Sequence, residues 1–234
     1  MNQSADLSAL TRKIDDIIDS TVKSTGTLAR QIGHTIGVNW GENPGILLET
    51  GIKTAIQAEV KQTLSGNSYC SGAGFASHIE NAGSVREYWL LEWWYKKDNG
   101  LKQVSLDLDQ ATQQRLDFRT FEWFTTPTAE AEAEGKAYIH GPYVDYICNT
   151  SLTLTSAVPV CVEGKVLGVA ALDVLVSHVE EALLPLCGQE KVILTNPDGR
   201  IIFSTNPRIR IGELFKTDRS EPVYQTDYVT LHRQ

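Results

Sequence analysis

Asp117-Phe118-Arg119-Thr120-Phe121-Glu122-Trp123-Phe124 opens a stretch that continues through Gly141-Pro142-Tyr143-Val144-Asp145. An alternating run follows, Ser151-Leu152-Thr153-Leu154-Thr155-Ser156-Ala157-Val158-Pro159-Val160, then a Glu163-Gly164-Lys165 turn. The stretch closes on an apolar strand ending in acid, Val166-Leu167-Gly168-Val169-Ala170-Ala171-Leu172-Asp173. This spacing predicts three strands, at about 137–147, 151–161 and 165–173, with residues 117–124 extended beside them. Together they would wall a small-molecule pocket.

Asp173 is the sharpest residue of that wall. A carboxylate ending a strand that is apolar on both faces is costly unless it is paired or hydrogen-bonded. Its structural alternative is an acid held by backbone amides in the strand-to-helix turn. Capping the next helix is a job already given to Ser177, because Ser177-His178-Val179-Glu180 reads as a capping box that starts a helix running to about Leu184.

Working outward, residues 5 to 36 carry Leu7, Leu10, Ile14, Ile17, Ile18 and Val22 at helical spacing, continued by Leu28, Ile32 and Ile36. A terminal helix of this length must bury its stripe across the domain or against a second copy, so a homodimer through it is expected. A loop at 40–45 leads to Leu48, Ile52, Ile56, Val60 and Leu64, a second amphipathic helix stopping at Gly66. From Cys70 the pattern turns to strand, and Asp98-Asn99-Gly100 marks a hairpin between Glu87–Lys96 and Leu101–Leu108. On its first arm Trp89, Leu91, Trp93 and Tyr95 share one face, while Tyr88, Leu90, Glu92 and Trp94 share the other. Helical pieces are read at 110–116 and 128–135. Beyond 190, Val192-Leu194 and Arg200-Phe203 flank an Asn196-Pro197-Asp198-Gly199 turn, and the tail after Leu214 is polar and poorly patterned. The order of elements gives an α+β fold, an antiparallel sheet with helices on one side. It divides into two helices at 1–66, a main body at 67–190, and an extra hairpin with its tail, a partial second lobe, at 191–234.

The chain has 234 residues and a net charge of −8, which argues against nucleic acid or an anionic membrane surface as partner. Met1 to Ala9 shows no signal pattern, and the apolar region Val158 to Leu184 is broken by Glu163, Lys165 and Asp173, so the chain reads as soluble and cytoplasmic. The four cysteines (Cys70, Cys148, Cys161, Cys187) form no close pair, and the five histidines show no metal-ligand spacing. No nucleotide or hydrolase motif is present, and no cofactor is expected.

Candidate ligand contacts follow from chemistry. Aromatic faces attract cations, which brings in Trp123, Phe124 and, from the Trp-rich strand, Trp94. Tyr143 and Asp145 would add a hydroxyl and a second acid on one strand face. Arg119 is the nearest cation for a ligand carboxylate, or else a surface partner of Asp117 or Glu122.

These pieces in this order, Trp123-Phe124, Gly141 to Asp145, Thr153 to Pro159 and Gly164 to Asp173, resemble a Cache sensor domain, a PAS-like module of bacterial chemoreceptors and sensor kinases. The likeness covers about 5–205. It implies a long N-terminal helix packed on an antiparallel five- to six-stranded sheet and a non-catalytic ligand-binding function. In amino-acid sensors of this kind, an arginine two residues before the Trp-aromatic pair holds the ligand carboxylate, and the strand-end aspartate holds its amine. Trp123, Phe124 and Asp173 match, but the arginine position is Phe121. The resemblance therefore implies an amine, a quaternary ammonium compound or an amino acid as ligand, with binding relayed through the long helix to a signalling partner. Two alternatives stand beside it: a small-molecule enzyme using Cys148 or Cys161 with His140, and a structural dimerisation module.

Overall fold

The hydrophobic stripe of the first helix is long enough to serve two cores. Helix α1 (Ser8–Gly37) buries Leu10, Ile14, Ile17 and Ile18 in its first half and Leu28, Ile32 and Ile36 in its second. Thirty residues at 1.5 Å each make it about 45 Å long, enough to span both lobes. The computed structural model describes residues 7–82, 85–98, 100–104, 117–129, 136–146, 150–216 and 221–234. The expected helical piece at 110–116, all but the first two residues of that at 128–135, and Cys148 lie outside the described residues.

A main sheet and a smaller one pack against α1. The main sheet has six strands: β1 (Cys70–Ala82), β2 (Val85–Lys97), β3 (Gly100–Gln103), β4 (Tyr138–Asp145), β5 (Ser151–Val162) and β6 (Lys165–Leu175). Their order is β3-β2-β1-β6-β5-β4, and every neighbouring pair is antiparallel. Two three-stranded meanders are thus joined along β1 and β6. Helix α2 (Thr50–Gly66) buries Ile52, Ile56, Val60 and Leu64 beside the second half of α1, over one face of this sheet. The α1 stripe is therefore covered within a single chain, by β5, β6 and the smaller sheet.

Residues 117–124 are not a strand. A 3-10 turn at Phe118–Thr120 leads into helix α3 (Glu122–Ala129), which puts Trp123 and Phe124 on the face of the sheet opposite α1 and α2. Helix α4 (Val176–Leu183) begins one residue before the expected cap. Leu175 stands at the N-cap position and no side chain caps the helix, so Ser177 lies inside its first turn and the capping box does not form. Asp173 does not cap it either; it remains in β6, with its carboxylate turned into the sheet.

The tail is patterned after all. Strands β7 (Val192–Thr195), β8 (Ile201–Ser204), β9 (Glu221–Gln225) and β10 (Thr230–Arg233) form a second sheet in the order β8-β7-β10-β9. Val192, Leu194, Ile202, Phe203 and Leu231 pack there against Leu10, Ile14 and Ile17 of α1. The Tyr224 hydroxyl also donates to Asp15 of the same helix.

One buried polar contact joins α1 to the main sheet. Thr25 Oγ1 donates to the Thr21 carbonyl at 2.8 Å and lies 2.9 Å from Ser156 Oγ on β5. Thr25→Val keeps the shape but leaves the buried Ser156 hydroxyl without this partner. The expected cost is about 1–3 kcal/mol, read by urea denaturation.

Candidate functional site

Strand alternation decides what the α3 side of the sheet presents. Gly72↔Asp173 and Asp173↔Thr155 are register partners, flanked by Tyr95 on β2 and His140 on β4. One row across five strands therefore reads Tyr95, Gly72, Asp173, Thr155, His140. The next row inward is Trp93, Gly74, Ala171, Ala157 and Tyr138. Small residues on β1, β5 and β6 form a floor, and large rings from β2, β4 and α3 stand around it. Gly74 is required for this: a Cβ there would lie 2.8 Å from Trp93 Cδ2 and 2.6 Å from the Glu92 carbonyl oxygen.

The rings form an arc. Trp93 and Trp123 have centroids 5.8 Å apart, and Trp123 stacks near-parallel on Phe121 at 6.4 Å. Phe121 in turn lies 6.4 Å from Tyr143. Phe118 and Phe124 pack behind Trp123. From Tyr143 the arc becomes polar: its hydroxyl is 2.8 Å from Thr155 Oγ1, which donates to Asp173 Oδ1 at 2.6 Å. When Asp173 is ionised the polarity is fixed, Tyr143 donating to Thr155 and Thr155 to Asp173.

Asp173 is 2 % exposed. Burial first, and then the negative charge of Asp145, push its carboxyl up to about 8, against a smaller opposing effect of the Thr155 hydrogen bond. Asp145 is buried on the same strand face as Tyr143. Two acids thus occupy one aromatic-walled region, and among the described residues no cation acts on Asp173.

The structure brings together Trp123, Phe124, Tyr143, Asp145 and Asp173. It separates two other expected contacts from them. Trp94 points to the opposite face, where it packs among the residues under α2 and Lys61 Nζ sits 3.8 Å from its ring; the indole in the arc is its neighbour Trp93. Arg119 is committed elsewhere. It makes a forked pair with Asp117 at 2.8 and 2.9 Å, reaches Glu87 at 2.5 Å and lies 3.7 Å over the Trp89 ring. Hydrogen bonds from Arg119 hold Asp117 below the usual carboxylate range, and Glu87 is lowered chiefly by Trp89 and His78. Of the two surface partners weighed for Arg119, Asp117 is the one used; Glu122 faces His140 at 3.1 Å instead.

Phe121, Thr155, Gly72 and the indole of Trp93, which the structure places on this side of the sheet, were not singled out from the sequence as candidate contacts. The signal for the glycine lay in Gly72-Ala73-Gly74, where alternate positions on one strand face carry no side chain. His140 lies tilted against Tyr143, ring centroids 4.9 Å apart, and burial lowers its pKa. Cys161 lies at the far end of β5, in a groove of about 540 Å³ beside Gly33 of α1, and does not meet His140. Cys70 is buried with its thiol pushed up to about 12 by desolvation. Among the described residues no group of acids, histidines and cysteines is placed to hold a metal.

Solved structures share this architecture. The periplasmic sensory domain of the Campylobacter jejuni chemoreceptor Tlp1 aligns with a TM-score of 0.64 at 15% identity, over 86% of this chain and 70% of that one. The extracellular domain of the histidine kinase soHK1S-Z6 gives 0.61 at 17% identity, over 86% and 68%. The fold is a Cache fold. A further Cache-type neighbour is the ligand-binding domain of the Pseudomonas aeruginosa amino-acid chemoreceptor PctC, solved with GABA (0.57, 16% identity, 94% and 92%). The sequence matches no family model and no curated protein. At these identities the likeness carries the Cache fold and nothing finer.

The expectation of a cytoplasmic chain is corrected by two of these neighbours, the Tlp1 domain being periplasmic and the soHK1S-Z6 domain extracellular. A polar start and a broken apolar run describe how a chain meets water, and water lies on both sides of a membrane. No helix among the described residues is long and apolar enough to cross one.

Proposed function

We propose that this chain is a non-catalytic, extracytoplasmic sensor domain whose aromatic and acidic cluster takes a small molecule bearing an amine. One observation carries the reading: Asp173, buried at the centre of the arc, has a carboxyl pushed up to about 8 with no described cation beside it. A cationic ligand group would supply the missing charge, and the neighbouring rings would add cation–π attraction. Trp123, Trp93, Phe121 and Tyr143 enclose it in this reading, with Phe124 behind and Asp145 as the second acid. The sensory ligand-binding domains that share the fold favour binding over catalysis. Binding would reach α1 through β5, where Thr155 touches Asp173 and the next residue, Ser156, touches Thr25.

The reading has a proton signature. Below about pH 8 the free site holds a proton on Asp173 that the cation-bound site gives up. Amine binding at pH 7 is therefore expected to release close to one proton, and the affinity to rise by up to about tenfold per pH unit until about pH 8, then level off. The first step is a thermal-shift screen of amines, betaines, amino acids and short carboxylates. A saturating hit at about one hundred times its dissociation constant adds about 2.7 kcal/mol. Calorimetry of that hit in buffers of different ionisation enthalpy then counts the proton. Hits confined to carboxylates, or an amine that binds without proton release, would sink the assignment.

A further inference from the structure

Two polar atoms of the cluster converge on one point with no partner there. Trp93 Nε1 is buried and has no hydrogen-bond partner among the described residues. Asp173 uses Oδ1 for Thr155, and nothing among the described residues donates to Oδ2. Both atoms stand over Gly72, where a Cβ would lie 3.2 Å from Trp93 Nε1 and 3.0 Å from Asp173 Oδ2. With no side chain at 72, nothing from that residue screens the two atoms from a group placed further above the sheet. Buried donors are nearly always paired in folded proteins, so the unpaired indole N–H beside the uncommitted oxygen of Asp173 marks a place for a polar group from outside the chain.

We infer that Trp93 and Asp173 together select a 1,2-amino alcohol, an amine whose neighbouring carbon bears a neutral oxygen. The inference rests on the amine-sensor reading above and narrows it. The ligand ammonium donates to Asp173 Oδ2, and the hydroxyl oxygen accepts from Trp93 Nε1. A simple alkylamine lacks the acceptor and leaves the buried indole N–H unpaired at its full desolvation cost, and a fully methylated ammonium has no N–H to give Asp173 Oδ2. A carboxylate in the oxygen's place meets a single neutral N–H and two nearby acids, Asp145 and Asp173, whose charges repel it. Arg119, which could offset that repulsion, is held by Asp117 and Glu87 at the Trp89 end of the wall. The indole N–H is thus a specificity determinant distinct from the packing of its ring.

The test compares three probes on the full chain by calorimetry: valinol, 3-amino-2-methylpentane (the same skeleton with methyl for hydroxyl) and valine. Valinol is expected to bind about tenfold or more tightly than either of the others. Trp93→Phe should bring valinol and the methyl analogue to equal affinity, whatever it does to amine affinity overall. Gly72→Ala, at a position with ordinary backbone geometry, fills the shared point and should remove valinol's advantage too, which keeps the test decisive if Trp93→Phe folds poorly. Equal affinity for valinol and the methyl analogue, or an advantage that survives both substitutions, overturns the inference but leaves the amine reading intact as long as Asp173→Ala abolishes binding. Valine binding as tightly as valinol overturns the requirement for a neutral oxygen. Binding of none of the three overturns this inference and the amine reading together.

Discussion

Asp173→Asn is expected to give a protein that melts later than the native chain at neutral pH and no longer binds an amine. The folded protein holds the Asp173 carboxyl at about 8, against an ordinary value of 3.8. Between those values the folded chain keeps a proton that the unfolded chain has lost. Stability therefore falls as pH rises through that window and levels off above about 8. The asparagine keeps the shape and an acceptor for Thr155 but carries no such penalty. At pH 7 the accumulated difference is on the order of 4 kcal/mol, worth roughly 10 °C in melting temperature for a chain of this size. Below about pH 4 the two proteins should melt together. Thermal melts from pH 4 to 9, with calorimetry of an amine hit, read both halves. Parallel melting curves would show that Asp173 is not held protonated, and unchanged amine affinity would remove it from the site. A residue that weakens the fold and whose loss abolishes binding is what a functional acid in a core looks like.

Gly168→Ala should be the most damaging small substitution in the main sheet. A Cβ there would press into the Ala76 carbonyl oxygen and stand 2.8 and 2.9 Å from Cε2 and Cζ of Phe75. Phe75 is fully buried and Ala76 is a register partner of Val169, so the ring and the backbone are both held. Overpacking of this kind costs about 1–3 kcal/mol, and a fixed carbonyl places the expectation at about 3 kcal/mol or more. Gly51 is the contrast. It lies in the first turn of α2 with nothing within 4 Å of its would-be Cβ, and Gly51→Ala should be neutral or stabilise by up to about 1 kcal/mol. Urea denaturation of the pair separates steric demand from glycine's general cost; equal midpoints would refute the close approach of β1 and β6.

Much of the fold could be read from spacing. The stripes of α1 and α2 are long and periodic, and the hairpin and three-strand meander carry turn residues where the chain reverses. The segment 117–124 was misread because a short apolar run does not distinguish an eight-residue helix from a strand, and its Pro127 falls inside the helix rather than ending it. The capping box failed because β6 continues to Leu175, so the helix starts too early for Ser177 to cap it. Strands β9 and β10 are short and their burial depends on α1 and β7, long-range partners that local pattern does not report. At the site, Asp173, Tyr143 and Asp145 were legible because a buried acid and a strand's parity leave a signature. Trp93 and Trp94 were correctly assigned to opposite faces, but both faces of β2 are aromatic, and nothing local says which of them α2 covers. Arg119 was the nearest cation in sequence, and its guanidinium is taken by Asp117 beside it and by Glu87 of β2, a long-range partner.

Thr155 and Ser156 are consecutive, and strand geometry sends their hydroxyls through opposite sides of β5, one to Asp173 and the other to Thr25. The strand is in effect a partition wall with a fixture bolted through each side. In the proposed sensor, a shift of α1 at Ser156 would reach Asp173 through Thr155 along the same backbone. The points at which the long helix and the buried acid are held on β5 are therefore one peptide unit apart.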